Sequence, residues 1–252
     1  MPKKLHCSED CAMKRNHLLD TWRGLTVIAM VLFHFAYDIN LYWQLSWYDG
    51  TTFTTWWQRS IAVSFFWISG MTASFLTGEK NIKRGLKLTV LGVLITLVTT
   101  WITPDLSIYF GVLNGLGASL VVVGLLQQHL RRLPATFAVF FACLYIGTYT
   151  IPSGVAFGRE LPQRLYALNL YPLGFPNSTF TSTDYFPLLP WVLLLTAGFI
   201  FGDWIKGKDY FGHYGRPNLI SQIGRKSLLI YVTHQVVLYG LTELLVLIFK
   251  PV

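Results

Sequence analysis

Runs of about 20 apolar residues, long enough to cross a bilayer as helices, recur along this sequence and dominate what it can fold into. They fall at Leu19–Leu41, Trp56–Leu76, Leu86–Ile102, Ile108–Leu126, Pro134–Ile151, Phe186–Ile205 and Leu228–Phe249. In lipid every backbone N–H and C=O must find a partner within the protein, so such runs become helices. The expected fold is all-α, a polytopic transmembrane helix bundle of about seven spans. It occupies residues 19–252 and follows a cytoplasmic tail of residues 1–18. With 53% of 252 residues hydrophobic and 13% charged, the chain has too few charges for a soluble surface of that size. The first run is too long for a signal-peptide core and has no small-residue cleavage site, so it reads as a retained helix. The third run is short, and only a tight turn at Thr103-Pro104-Asp105 joins it to the fourth.

The net charge of +8 raises nucleic acid as a partner. The basic residues, however, cluster between the apolar runs rather than along a polar stripe, so no nucleic acid is expected. Placing the N-terminus in the cytoplasm puts fifteen of the twenty Lys and Arg residues in inner segments, and Arg23 makes sixteen. Arg59, Arg159, Arg164 and Lys250 fall outside. This asymmetry predicts N-terminus in and C-terminus out. Cys7, Cys11 and Cys143 do not suggest a disulfide framework. The loose Cys7–Cys11 spacing, near His6 and His17, lacks a second ligand pair, so no metal is expected.

The longest connection, Pro152 to Tyr185, falls outside, and Glu160–Leu168 within it predicts a short interfacial helix. Tyr42, Trp43, Trp47, Tyr48, Trp56 and Trp57 ring the first outer hairpin as a headgroup belt. No internal repeat stands out, and an odd number of spans argues against a simple two-repeat transporter.

Ionisable residues inside spans are costly and mark function or pairing. The first span holds Arg23, His34 and Asp38. His34 and Asp38 lie four apart, on one face of a helix, where a carboxylate can fix the imidazole tautomer and raise its basicity. From Trp22 to His34 is about 18 Å at the helical rise, just past the midplane. Arg23 sits near the inner surface, where an acidic ligand from the cytoplasm arrives. His234 lies in the last span, and on the residues alone it is equally a packing histidine or a ligand contact. Arg59 and Asp184, near outer helix ends, are candidates to face one cavity. Gly111-Val112-Leu113-Asn114-Gly115 is a G-x-x-x-G that predicts close helix packing.

Several of these stretches resemble one family. Leu19-Asp20-Thr21-Trp22-Arg23-Gly24-Leu25 followed by His34-Phe35-Ala36-Tyr37-Asp38 resembles the opening of bacterial proteins related to the catalytic domain of heparan-alpha-glucosaminide N-acetyltransferase. Phe65-Phe66-Trp67-Ile68-Ser69-Gly70 is similar to the second-helix signature. Asp184–Trp191 and Ser227–Gln235 resemble two later ones. The spacing of Arg23 and His34 is similar to that of the broader membrane acyltransferase group. Asn114 departs from the pattern, since related sequences carry a histidine there. Being shorter than the eukaryotic enzyme, the chain is expected to lack its extra helices and lumenal domain.

The resemblance implies an enzyme of the bacterial inner membrane that moves an acetyl or other acyl group from cytoplasmic acyl-CoA to an external sugar, glycan or other small acceptor. On that reading His34 and Asp38 are catalytic. Arg23, Asn114 and His234 contact the acetyl-CoA donor, and Arg59 and Asp184 the acceptor. Besides membrane lipids and the acceptor, self-association into a homo-oligomer stays open. The competing reading is a proton-coupled transporter with a His34–Asp38–His234 relay. A third is a non-enzymatic, lipid-binding partner subunit.

Overall fold

The computed structural model describes residues 16–48, 51–207 and 216–249. Cys7, Cys11 and His6 therefore lie outside the described residues, as do the tail cations, Lys208 and Lys250. The described chain is a membrane helix bundle with one two-stranded ribbon of two residues per strand. Its helices are α1 (His17–Trp43), α2 (Thr52–Ser74), α3 (Gly78–Ile102), α4 (Val112–Leu130), α5 (Thr136–Thr148), α6 (Arg164–Ala167), α7 (Leu188–Gly207), α8 (Leu219–Arg225) and α9 (Ser227–Phe249). The seven long helices correspond in order to the seven apolar runs. Six are long and apolar enough to cross a membrane, α5 being extended to Ser153 for this purpose. The other is α2, with 23 residues but polar first turns that carry Thr54, Thr55, Gln58 and Arg59.

At two helix starts the departure from the apolar pattern has a clear local reason. Helix α3 is not short. Thr77 accepts from Lys80 N and starts the helix at Gly78, so Lys80, Lys83, Arg84 and Lys87 lie within its 25 residues. Long basic side chains permit this, because their stems lie along apolar surface while the charged ends reach for polar surroundings. Helix α4 starts four residues later than its apolar run, at Val112. Phe110, at φ 57°, turns the chain into the left-handed region first, and Gly111 forms the N-cap.

The interior is built from α2, α4, α5 and α7 around Phe66, Leu116, Leu120, Trp191, Leu195 and Phe199. Close backbone approach holds these layers together. A Cβ on Gly70 would fall 2.1 Å from the Leu195 carbonyl oxygen of α7. Between α3 and α4, Gly78 faces Gly124, Gly85 faces Gly117 and Gly92 faces Asn114, so the two helices run antiparallel. The expected close packing around Gly111–Gly115 is present, with Gly115 against the backbone of Phe186. Outward faces are apolar: Val90, Leu94, Leu97, Val98 and Trp101 on α3 and Val236, Leu244, Leu247 and Ile248 on α9 are exposed, as lipid-facing side chains must be.

The antiparallel register gives the fold its most consequential feature. Asn114, in the first turn of α4, packs on Gly92, which lies ten residues before the end of α3 at Ile102. Helix α4 thus begins about 12 Å short of the carboxyl end of α3. The segment 182–186 runs beside 107–110 to reach that depth. Thr183 N donates to Ser107 O at 3.2 Å, Tyr109 N to Ser182 Oγ at 2.9 Å and Phe186 N to Phe110 O at 2.9 Å.

The loop before α7 departs from the expected Glu160–Leu168 helix. Glu160 pairs in a β-ribbon with Val155, and only Arg164–Ala167 is helical. Pro162 lacks the N–H that a helix interior needs, and Gly158 at φ 73° closes the ribbon. At the other end, α8 lies directly on α1. A Cβ on Gly24 would sit 2.1 Å from Ile220 O, and one on Gly224 would sit 1.9 Å from Asp20 O.

Candidate active site

Helices α1 and α9 meet along a row of polar side chains that on α1 are spaced one turn apart. The rings of His34 and His234 are 4.8 Å apart between centroids. Next along the row, Gln235 Nε2 donates to both oxygens of the buried Asp38 carboxylate, at 2.9 and 3.2 Å. At the far end, the Tyr42 hydroxyl donates to Glu243 at 2.6 Å. Since 34 faces 234, 38 faces 235 and 42 faces 243, the two helices run parallel.

This pairing differs from the expected internal one. Asp38 shares a helix face with His34, but its hydrogen bonds go to Gln235, and no His34–Asp38 hydrogen bond forms among the described residues. Tautomer control is instead applied to His234. Its Nδ1 lies 2.6 Å from the carbonyl oxygen of Tyr231 one turn earlier. A carbonyl can only accept, so Nδ1 carries the proton and Nε2 keeps its lone pair. That Nε2 is buried and has no hydrogen-bond partner among the described residues.

Tyr231 joins the histidine pair to a second polar feature. With Asp184, Asn114 and Gly92 it lines a small cavity of about 10 Å³ at the amino end of α4, room for about one water. Asp184 Oδ2 accepts from Val112 N at 3.2 Å, capping a helix end that favours negative charge. Burial nevertheless pushes this carboxyl up to about 6, the Val112 N–H pulling the other way. The Asn114 side-chain carbonyl oxygen is buried without a hydrogen-bond partner among the described residues. Asn114 and Asp184 are therefore neighbours in one cavity, whereas Arg59 lies elsewhere, exposed and 5.0 Å over the ring of Tyr149. The structure does not bring Arg59 and Asp184 together.

Arg23 is anchored near the other end of α1. Its guanidinium donates to Asp20 at 2.9 Å and to Thr72 of α2 at 2.8 Å. The contact of α8 through Gly24 and Gly224 holds this end of α1 rigidly.

The family model described as heparan-alpha-glucosaminide N-acetyltransferase, catalytic, matches residues 15–236. The chain belongs to that family. No curated protein and no solved structure matches it. Within this heparan-alpha-glucosaminide N-acetyltransferase family, the chain is an integral membrane protein with a transferase function of the acetyltransferase type. The matched stretch holds His34, Asp38, Asn114, Asp184, Tyr231 and His234 and stops before Glu243. Sequence reasoning missed Tyr231, Gln235 and Glu243. Glu243 could have been found, because a carboxylate inside an apolar span is itself a signal.

Proposed function

We propose that the protein transfers an acyl group, acetyl by family, from cytoplasmic acyl-CoA to a hydroxyl or amine acceptor at the outer face of a bacterial inner membrane. The observation that carries this reading is the His34–His234 pair, with a buried imidazole nitrogen that has no hydrogen-bond partner among the described residues. The pair takes the proton from the acceptor as its oxygen or nitrogen attacks the thioester carbonyl carbon. The tetrahedral adduct then breaks its C–S bond, and the imidazolium returns the proton to the departing thiolate, giving the thiol. Asp38 positions α9 through Gln235. An outer cleft of about 370 Å³ lined by Tyr109, Tyr171, Phe180, Asn169 and Asn177 supports a polyhydroxyl acceptor arriving from that side.

The test is acyl-CoA turnover by purified wild type and the His34→Ala, His234→Ala and Asp38→Asn variants. Loss of a proton-transfer group is expected to lower the rate about 10²- to 10⁴-fold in the histidine variants. Rates like wild type in all three would overturn the assignment. The row of polar pairs between α1 and α9 also fits the transporter reading. That reading instead requires flux into liposomes driven by a pH gradient without CoA.

A further inference from the structure

On α3 the side chain of Arg84 turns inward, and its Nη1 is buried with no hydrogen-bond partner among the described residues. It lies within electrostatic reach of Arg23 on α1. A guanidinium is kept from water only where an acceptor compensates for the lost hydration. Placing it near a second guanidinium adds repulsion that a low-dielectric surrounding strengthens. Neighbouring cations do not face this problem: Lys83 bridges to Glu79 at the exposed surface and Arg131 to Asp203. Arg23 is itself fixed in direction by Asp20 and Thr72. Two such planar forks, one of them preorganised, suit a phosphate, which accepts several N–H donors at once.

From these observations we infer that Arg84 and Arg23 form a binding site for a phosphate-bearing ligand between α1, α2 and α3. Both arginines lie six residues into their helices, so each is about 9 Å from its helix start. His34 lies eleven residues beyond Arg23, about 17 Å along α1. That separation is comparable to an extended pantetheine arm, so the phosphates of a CoA-type donor bound here would let the thioester reach the histidine pair. This assignment of source rests on the proposed function; the phosphate chemistry itself does not. The other source with the same chemistry is an anionic lipid headgroup.

The experiment uses the purified full chain and direct binding rather than turnover. CoA is titrated calorimetrically against wild type, Arg84→Gln and Arg84→Lys, alongside pantetheine, which keeps the thiol arm and has no phosphate. Retention of phosphatidylglycerol against phosphatidylcholine is measured on the same samples by native mass spectrometry. Arg84→Gln is expected to weaken CoA about 10- to 100-fold, the loss of one charge-assisted hydrogen-bond donor. Arg84→Lys should recover part of this, and pantetheine binding should not change. Unchanged CoA affinity with loss of phosphatidylglycerol in Arg84→Gln supports the phosphate site and makes lipid its source. Wild type that binds no CoA but retains phosphatidylglycerol through Arg84 sinks the acyl-CoA reading and leaves the site standing. Equal CoA affinity and equal lipid retention in wild type and Arg84→Gln overturn the inference, as does an equal weakening of CoA and pantetheine.

Discussion

Replacing Gly92 by alanine tests the geometry that sets the depth of the site. The added Cβ would lie 1.4 Å from Asn114 Oδ1 and 2.6 Å from its Cγ, a full overlap that no small adjustment removes. Asn114 is only 5% exposed, so its amide has little room to rotate away. Overpacking of this kind costs about 1–3 kcal/mol, and a direct overlap belongs at the upper end. Alanine recovers about 1 kcal/mol of helix propensity over glycine. The net loss expected for Gly92→Ala is therefore about 2 kcal/mol. Asn114→Ala removes both the obstacle and a buried oxygen without a hydrogen-bond partner among the described residues, so its cavity term is largely offset. In the double variant the new methyl enters the vacated space. Asn114 N remains 3.1 Å from the Cβ, close enough to leave a residue of strain. The double variant should lie within about 1 kcal/mol of wild type, a favourable coupling of about 1–2 kcal/mol. Chemical unfolding in mixed micelles, followed by tryptophan fluorescence, measures all four corners of the cycle. A double variant as unstable as Gly92→Ala alone, or a Gly92→Ala that loses nothing, would refute the contact and with it the depth assigned to α4.

Three further outcomes follow from the same contacts. His34→Gln and His234→Gln should each lower turnover about 10²- to 10⁴-fold, while the double variant falls little below the worse single one, because groups that act as a unit are not additive; multiplicative losses in steady-state kinetics would separate the two rings. Asp184 is raised from 3.8 to about 6, so its stabilising share is complete below the unfolded value and is lost as pH rises through about 6. Wild type should thus lose up to about 3 kcal/mol relative to Asp184→Asn between about pH 4 and about pH 7, and parallel thermal unfolding curves for the two proteins would contradict this. Gly24→Ala and Gly224→Ala each drive a Cβ into backbone across α1 and α8; each should cost about 1–3 kcal/mol in unfolding titrations, and a neutral result at both would dissolve the clamp that holds Arg23.

The sequence pattern revealed the long helices, because apolar length is a property of each run by itself. It missed the start of α4, because Ile108 and Phe110 are as apolar as the helix they precede, and the left-handed turn at Phe110 leaves no mark in composition. It placed His34 and Asp38 on one face, as the structure does, but could not say what that face meets. A carboxylate one turn from a histidine can bond it or a neighbouring helix, and here the amide of Gln235 takes both oxygens. Arg84 read as a loop cation because the run of Lys and Arg around it hid a helix whose inward side it occupies. Helix α8 has only seven residues and lies in what looked like a polar connection. In each case the missing information was a contact between segments far apart in the chain.

The late start of α4 is expensive for a membrane protein, which makes its retention informative. Non-helical backbone at bilayer depth is tolerated only where protein covers it or where it lines a polar cavity. The chain meets both conditions by pairing 107–110 with 182–186 and by setting Asp184 on Val112 N. A helix continuing through Ile108, as its apolar character permits, would have avoided the need. The irregular arrangement brings the positive end of a helix, a carboxyl and a buried amide into the middle of the bundle, where Tyr231 shares their cavity. The carbonyl of that same Tyr231 fixes the proton on His234 Nδ1. Helix α4 and the histidine pair are thereby coupled through one residue of α9. A shift of α9 along α1 would disturb the tautomer, the ring contact and the Asp184 cavity together. The polar pairs at 38–235 and 42–243 are what oppose such a shift. This gives Glu243, beyond the stretch the family shares, a physical part in keeping the reacting groups in register.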